Sequence, residues 1–403
     1  DEVAAAYQGK ELSFGPDYII PKPFDPRLIV RIAPAVAKAA MEEGVATRPI
    51  EDLETYAEQL EQFIYHSGAF MKPLFSMARA FKRDGGKSRI VFTEGEDERV
   101  LRAVQILVDE KVCTPILVGR PDVLESRVKR YGLRFSLETD VEVVDSEHDG
   151  RFDRYWKAYW EMMRRKGVTQ EFARLELRRR TTLVGALMVK FGEADGMICG
   201  TIGRYVNHLD LIDKVIGKAP GASTYAAMNI ILMPESMVAI ADTHVNANPN
   251  AQELADIAIM AAQEMRHLRI EPKLAFVSSS NFGTDVPCSG SVIREALALV
   301  REREPDLEID GEMHCDAALD EKLRARIMPD SPLKGAANVL ICPNVEAGNI
   351  AYNLLKVSAG SNVAVGPFLL GMNAPITILT SSSTVRRIVN MAALTVVDAN
   401  IRK

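Results

Sequence analysis

The chain has 403 residues, of which 47% are hydrophobic and 26% are charged, a balance that is typical of soluble globular proteins and excludes a disordered or fibrous one. Its formal net charge of −6 argues against nucleic acid and anionic membranes as main partners, and no apolar run reaches the roughly 18 residues that a membrane-spanning helix needs. At roughly 100–200 residues per domain, this length predicts two or three compact units.

Five cysteines are scattered along the chain without a CxxC pair or clustered histidines, so neither a zinc site nor a disulfide framework is indicated. Most lie in apolar segments, and we interpret them as reduced, buried side chains of a cytoplasmic protein. They are Cys113, Cys199, Cys288, Cys315 and Cys342. The first residue is Asp1 and no signal-like segment follows, so we expect a fragment or processed product of a longer chain.

The first part of the chain lacks the alternation of strands and helices that appears later. Prolines crowd residues 1–27 and predict turns, whereas helical patterns occupy 28–42 and 51–62. The charged, glycine-containing segment 81–88 predicts a linker.

From residue 89 onward, short β-branched runs alternate with amphipathic helices. Runs at 89–92 and 115–119 flank a helical pattern at 99–109, and this spacing predicts a βαβ unit in a parallel sheet covered by helices. Further elements are predicted with the same patterns: strands at 196–200, 273–278 and 338–342, and a helix at 251–267. The chain is therefore expected to have an α/β fold.

Aromatic residues recur at helical spacing in residues 151–166. One face of this predicted helix carries Phe152, Tyr155, Trp156, Tyr159, Trp160 and Met163. We interpret the face as core or subunit interface rather than as a ligand site, because burial is the usual fate of such a stripe.

Four loops rich in Ser, Thr, Asn or Gly follow predicted strands, where parallel α/β sheets bind their ligands. They comprise residues 93–97, 200–204, 278–284 and 380–384. Hydroxyl groups and backbone amides at a helix start can bind a phosphate, and Arg386 and Arg387 follow the last loop. The sequence leaves open the alternative that these Ser and Thr residues only cap helices.

Other familiar site patterns are missing. There is no Walker A sequence and no GxGxxG after a strand, so no dinucleotide site is predicted. Acidic pairs such as Asp210 with Asp213 have the spacing of a solvated surface, and we predict no metal site. His244 near Asp242, and His314 within an acidic stretch, are interpreted as structural rather than catalytic.

Several motifs resemble two known families. Residues 14–28 (FGPDYIIPKPFDPRL) resemble the closing segment of the catalytic domain of bacterial malic enzymes. From about residue 87 onward the chain resembles phosphotransacetylases, on the motifs EGEDER (94–99), ADGM (194–197), DGEMH (310–314), KGAANVL (334–340) and EAGNIAY (346–352). Both resemblances in this order are similar to the long, hybrid NADP-dependent malic enzymes.

This resemblance implies a division of the chain into a tail of the malic enzyme domain (1–45), a helical linker (46–86) and a phosphotransacetylase-like domain (87–403). The last would be a two-lobed, parallel-sheet domain with coenzyme A bound between its lobes. Its first lobe would comprise about 87–222 and 375–403, and its second lobe about 223–374.

The resemblance also implies partners. Acetyl-CoA is the expected allosteric inhibitor, and the domain is expected to form a homodimer within a larger assembly. The malic enzyme catalytic domain, outside this chain, would convert malate to pyruvate and CO2 with NADP and a divalent metal, Mg²⁺ or Mn²⁺. No cofactor is expected in this chain itself, and the preference for NADP over NAD depends on the resemblance alone.

The chain departs from the phosphotransacetylase pattern where acetyl transfer takes place. Thr380, Ser381 and Arg387 occupy the positions of the family's serine, arginine and aspartate, and Asp210 aligns best with a second family arginine. Losing a base and phosphate-binding cations should abolish acetyl transfer, so no catalytic residue is expected.

Coenzyme A can still bind such a cleft through its phosphates, pantetheine arm and adenine. We expect the acetyl-CoA ligands to be Asn281, Asn344, Thr380, Ser381, Arg386 and Arg387. Two alternatives remain open: an active phosphate acetyltransferase with a rearranged site, and a purely structural oligomerisation module.

Overall fold

The structure is a computed structural model that describes residues 26–50, 52–64, 66–81, 86–145, 148–233, 236–284, 290–359 and 364–402. Most of the predicted turn-rich segment 1–27, residues 82–85 of the predicted linker and Cys288 lie outside the described residues.

The α-helices of the described residues are α1 (Pro26–Glu42), α2 (Leu53–Ile64), α3 (His66–Ala80), α4 (Glu98–Asp109), α5 (Pro121–Arg130), α6 (Phe152–Met163), α7 (Gln170–Arg179), α8 (Thr181–Lys190), α9 (Tyr205–Asp213), α10 (Ala251–His267), α11 (Gly290–Arg303), α12 (Cys315–Leu319), α13 (Glu321–Ile327), α14 (Val345–Ser358) and α15 (Val385–Ile401). The strands are β1 (Arg89–Phe92), β2 (Thr114–Val118), β3 (Glu142–Val144), β4 (Gly196–Cys199), β5 (Ala226–Leu232), β6 (Met237–Ala241), β7 (Leu274–Val277), β8 (Ile309–Met313), β9 (Val339–Ile341), β10 (Ala364–Leu370) and β11 (Ile376–Ile378). None of the described helices combines the length and hydropathy that crossing a bilayer requires.

Two sheets organise these elements. The first lobe is built on a five-stranded sheet of order β11-β4-β1-β2-β3, in which every pairing is parallel. The second lobe is built on a six-stranded sheet of order β10-β5-β6-β9-β7-β8. The two-lobed α/β fold expected from the sequence is confirmed.

The second sheet is mixed, whereas the sequence predicted a parallel-sheet domain. Strand β5 pairs antiparallel with both β6 and β10, whereas β6, β7, β8 and β9 run parallel. The connection between β5 and β6 spans only the residues from Leu232 to Met237, and so short a connection can only reverse the chain direction.

The predicted strands at 89–92, 115–119, 196–200, 273–278 and 338–342 correspond to β1, β2, β4, β7 and β9 within a residue at each end. Helix α10 has the predicted bounds, and it begins with a capping box in which Asn250 and Glu253 bond each other's backbone amides.

The aromatic face of α6 is core, as predicted. Tyr155, Trp156 and Tyr159 are buried against the first sheet, and Arg174 lies 3.9 Å from the centroid of the Trp156 ring. The α-helix ends at Met163, and a 3₁₀ turn continues it to Lys166.

Burial of the cysteines is as predicted for Cys113, Cys199 and Cys342, but Cys315 is exposed at the start of α12. Burial raises the pKa of the Cys113 thiol to about 12, which keeps it protonated. Cys315 opens its helix at the surface, between the polar residues His314 and Asp316.

The last helix, α15, connects the lobes. It packs against β1, β4 and β11 of the first sheet and also against β10 of the second. The loop that precedes α15 is consequently at the junction between the lobes.

Candidate functional site

A cavity of about 150 Å³ lies at this junction. Its lining comes from both lobes: Thr380, Ser382 and Arg387 from the first, and His244, Tyr352, Asn353, Lys356 and Pro367 from the second. None of the lining residues in the described part of the chain is an aspartate or a glutamate. The cavity therefore combines cationic and hydroxyl side chains without an acidic one.

The first-lobe side is formed by the loop between β11 and α15. Thr384 caps α15 by accepting a hydrogen bond at 3.3 Å from the backbone N–H of Arg387. Arg387 is therefore in the first turn of the helix. Within the loop, the Thr380 amide donates to the Ser383 hydroxyl at 3.2 Å. Thr384 therefore caps a helix, which was the alternative interpretation of this loop.

The second-lobe side is formed mainly by α14, which packs against β5 and β6. Tyr352, Asn353 and Lys356 lie on one side of this helix, and the Lys356 ammonium donates to the Asn353 side-chain oxygen at 3.1 Å. Burial and the charge of Arg387 lower the pKa of Lys356.

His244 of the second lobe lines the same cavity and contacts the first lobe. Its ring stacks on that of Tyr205 in α9, with centroids 4.8 Å apart. Burial lowers the pKa of His244, and the charges of Lys356 and Arg387 lower it further, against the opposing effect of Asp242. The ring is therefore neutral at pH 7.

One nitrogen of this ring is unpaired in the described structure. The Nε2 atom is buried and has no hydrogen-bond partner among the described residues. The Asp242 carboxylate accepts hydrogen bonds from the backbone amides of Ala227, His244 and Asn246 at 2.6–3.0 Å. It therefore orders the backbone that follows β6. Asp242 is therefore structural, as the sequence predicted, whereas His244 lines the cavity.

The residues predicted to bind the ligand do not all meet. Thr380 and Arg387 line the cavity, whereas Ser381 is exposed beside it and its carbonyl accepts from Arg99. Arg386 is half-buried next to Arg387 and is outside the lining. The others lie elsewhere in the described chain.

Both of these others have structural partners. Asn344 caps α14 by accepting from the Ala347 amide at 3.0 Å, and Asn281 accepts from the His314 amide at 2.8 Å in the second lobe. Asp210 is exposed on α9 and does not line the cavity.

Sequence reasoning missed six lining residues: His244, Tyr352, Asn353, Lys356, Pro367 and Ser382. The signal for three of them was present, because the EAGNIAY motif leads directly into Asn353 and Lys356. What the motif did not indicate was which face of its helix points at the other lobe.

Known proteins share this two-lobed arrangement. A family profile described as "Phosphate acetyl/butaryl transferase" matches residues 69–396. The chain belongs to that family. Among solved structures, a phosphotransacetylase from Streptococcus pyogenes resembles it with a TM-score of 0.75 and 30% identity, covering 83% of this chain and 99% of that one.

The chain is also similar to curated malic enzymes. The NADP-dependent malic enzyme of Salmonella typhimurium is 53% identical over 98% of the chain, and the NAD-dependent malic enzyme of Rhizobium meliloti is 49% identical over 99% of it. The chain covers 52% and 51% of those proteins, so it spans about half the length of the curated relatives it matches. The predicted resemblance to phosphotransacetylases and malic enzymes is confirmed.

Proposed function

We propose that this chain is the regulatory, phosphotransacetylase-like part of a cytoplasmic malic enzyme, and that it binds acetyl-CoA as an allosteric inhibitor. The observation that carries the proposal is the cationic cavity between the lobes, which the described residues line with Lys356, Arg387 and hydroxyl groups and with no carboxylate. Such a cavity attracts an anionic ligand, and acetyl-CoA supplies phosphates together with a thioester.

The catalytic half of the enzyme lies outside this chain in the proposal. That half would oxidise and decarboxylate malate to pyruvate and CO2 with a nicotinamide cofactor and Mg²⁺ or Mn²⁺. Relatives of both nucleotide preferences occur, so NADP is the proposed cofactor on the resemblance alone. The chain would assemble as a homodimer within a larger oligomer.

Inhibition requires that acetyl-CoA bind two conformations of the enzyme unequally, by a coupling of typically about 1–3 kcal/mol. The position of the cavity supports this requirement, because its lining is divided between the lobes. A ligand there contacts both lobes at once, and its affinity therefore depends on their relative placement.

A second function, phosphate acetyltransfer, is favoured by one observation. His244 lines the cavity, its Nε2 atom has no partner among the described residues, and an imidazole nitrogen can accept a proton from a thiol. An assay with acetyl phosphate and coenzyme A separates the two functions. We expect no acetyl-CoA formation, and turnover that disappears in His244→Gln would establish the transferase instead.

The proposal is tested by titrating acetyl-CoA into the full-length enzyme, with and without Arg387→Glu. We expect inhibition in the parent enzyme and its loss in the variant, because the substitution reverses a cavity charge. Arg102→Gln, on the surface of α4, is the control and should retain parental inhibition. Equal inhibition of Arg387→Glu would refute the site. If calorimetry detects no heat when millimolar acetyl-CoA is added to this chain, acetyl-CoA binding is refuted and the chain is a structural module.

A further inference from the structure

Three loops of the first lobe meet at one guanidinium group, that of Arg99 near the start of α4. Its Nε and Nη2 atoms bind the two carboxylate oxygens of Asp97 at 3.1 and 2.8 Å. Its Nη1 atom donates to the carbonyls of Ser381 and Ser383 at 2.6 and 3.1 Å, and Nη2 also donates to the Thr201 carbonyl at 2.8 Å. These loops follow β1, β11 and β4, which are neighbours in the sheet.

The hydrogen bonds of Arg99 occupy its whole donor capacity. A guanidinium group has five N–H bonds, one on Nε and two on each terminal nitrogen. The side chain makes five hydrogen bonds within the protein, distributed one, two and two over the same nitrogens. No N–H of Arg99 is left for a ligand phosphate.

Arg99 is well placed to set the geometry of the cavity. All three first-lobe lining residues are in, or directly after, the loop that Arg99 holds. Its Nη1 atom binds the carbonyls on either side of Ser382, so it fixes the backbone from which that hydroxyl projects. Asp97 fixes the guanidinium in turn, since this carboxylate is 10% exposed and also accepts the Arg99 amide at 2.8 Å.

We propose that Arg99 is a positioning residue for acetyl-CoA, which it serves by holding the loop between β11 and α15 and not by contact with the ligand. This inference rests on the proposed function of the cavity. An ammonium group cannot replace the fork, because lysine has three donors on one atom and cannot reach a carboxylate and three carbonyls together.

The test compares Arg99→Lys with Arg102→Lys in the 403-residue chain. Arg102 is the matched control, because it is one turn further along α4 and pairs with Glu98 at the surface. For Arg99→Lys we expect acetyl-CoA to bind about tenfold more weakly by calorimetry, a loss of about 1.4 kcal/mol. We also expect faster hydrogen exchange in residues 379–384 of the ligand-free protein. Arg102→Lys should change neither.

Two further variants strengthen the test. Asp97→Asn weakens the contact between the carboxylate and the Arg99 guanidinium. It should therefore also weaken acetyl-CoA binding and speed hydrogen exchange in residues 379–384. In a Ser382→Ala background, Arg99→Lys should cost less affinity than in the parent, since residues that act through one another are not additive.

The outcomes are distinct. Weaker binding with unchanged exchange and full additivity with Ser382→Ala would mean that Arg99 acts on the ligand directly, and would overturn the inference. Unchanged affinity in Arg99→Lys, while Arg387→Gln binds poorly, would overturn it and leave the proposed function intact. A parent chain that does not bind acetyl-CoA would refute the proposed function and, with it, the positioning role.

Discussion

Arg387 of α15 and Lys356 of α14 face one cavity from opposite lobes, and the charge of Arg387 adds to burial in lowering the pKa of Lys356. The two cations repel each other across the junction between the lobes, and no acidic residue of the described chain lines the cavity beside them. An anionic ligand between them removes that repulsion. The pair is therefore the most direct place to perturb ligand binding.

Replacing Arg387 with glutamine is expected to weaken acetyl-CoA binding by between about tenfold and about a hundredfold. The reason is that one hydrogen bond to a charged group contributes roughly 1.5–3 kcal/mol. The measurement is isothermal titration calorimetry on the 403-residue chain. Arg386→Gln is the neighbouring control, because Arg386 is outside the cavity lining and should cost much less. Equal losses in the two variants would argue for general electrostatic attraction and against a defined contact.

Gly348→Ala is expected to destabilise the protein and to weaken acetyl-CoA binding. Alanine normally favours a helix over glycine, but a Cβ atom at this position of α14 would be 2.1 Å from the Asp242 carbonyl oxygen. The helix would have to move away from β6, and its cavity residues Tyr352 and Lys356 would move with it. The expected loss is about 1–3 kcal/mol of unfolding free energy, measured by urea denaturation.

Gly150→Ala is the control for that variant, because no atom beyond its chain neighbours lies within 4 Å of its added Cβ. It should change neither stability nor affinity. A Gly348→Ala protein as stable as its parent would show that α14 can shift freely, which would contradict its role as a fixed wall of the cavity.

The fold was largely predictable from the sequence because its buried strands are short apolar runs with clear ends. Strand β4, for example, is wholly buried between Gly196 and Cys199, and its pattern needs no tertiary information. The antiparallel edge of the second sheet was not predicted. Its direction depends on the tight connection between β5 and β6, and neither of those strands was recognised.

The site was less predictable than the fold. A loop rich in hydroxyl residues before a helix indicated Thr380 and Arg387, because that chemistry is local in sequence. Lys356 was missed, since its orientation depends on how closely α14 approaches β6 at Gly348. Asn344 has the residue type of a ligand-binding loop, but its side chain is occupied by capping α14.

Glu94→Gln is expected to change how stability depends on pH. The Glu94 side chain is 10% exposed, and burial raises its pKa against the opposing effect of His208. The native state then binds the proton more tightly than the unfolded chain, so stability is fully present below the ordinary pKa of glutamate and is lost as pH rises through the raised value. The variant lacks this loss and should be more stable than the parent at pH 8, with a smaller difference at pH 5.

Urea denaturation at the two pH values measures this difference. Glu98→Gln, an exposed neighbour in an ion pair with Arg102, is the control and should gain no stability at pH 8. A Glu94→Gln protein that is less stable than its parent at pH 8 would show that the carboxylate is ionised there and stabilised by nearby His208 and Arg99.

Arg324→Ala is expected to be among the most destabilising substitutions in the second lobe. The Arg324 side chain is 1% exposed, and its guanidinium donates to the carbonyls of Ala317, Ala318, Leu333 and Gly335 at 2.6–3.2 Å. Removing it leaves buried carbonyls without donors, at a cost of roughly 1–3 kcal/mol each, in addition to a cavity.

The free energy of unfolding should consequently fall by at least about 3 kcal/mol in urea denaturation. Arg326→Ala is the matched control, because Arg326 is exposed on the same short helix, α13, and should change stability by less than about 0.5 kcal/mol. Arg324→Lys should also lose stability, since one ammonium cannot reach both the carbonyls that Nη1 binds and those that Nη2 binds. Equal stability of the two alanine variants would mean that water enters and replaces the guanidinium, and the buried fork would then not be what holds α12 and α13 together.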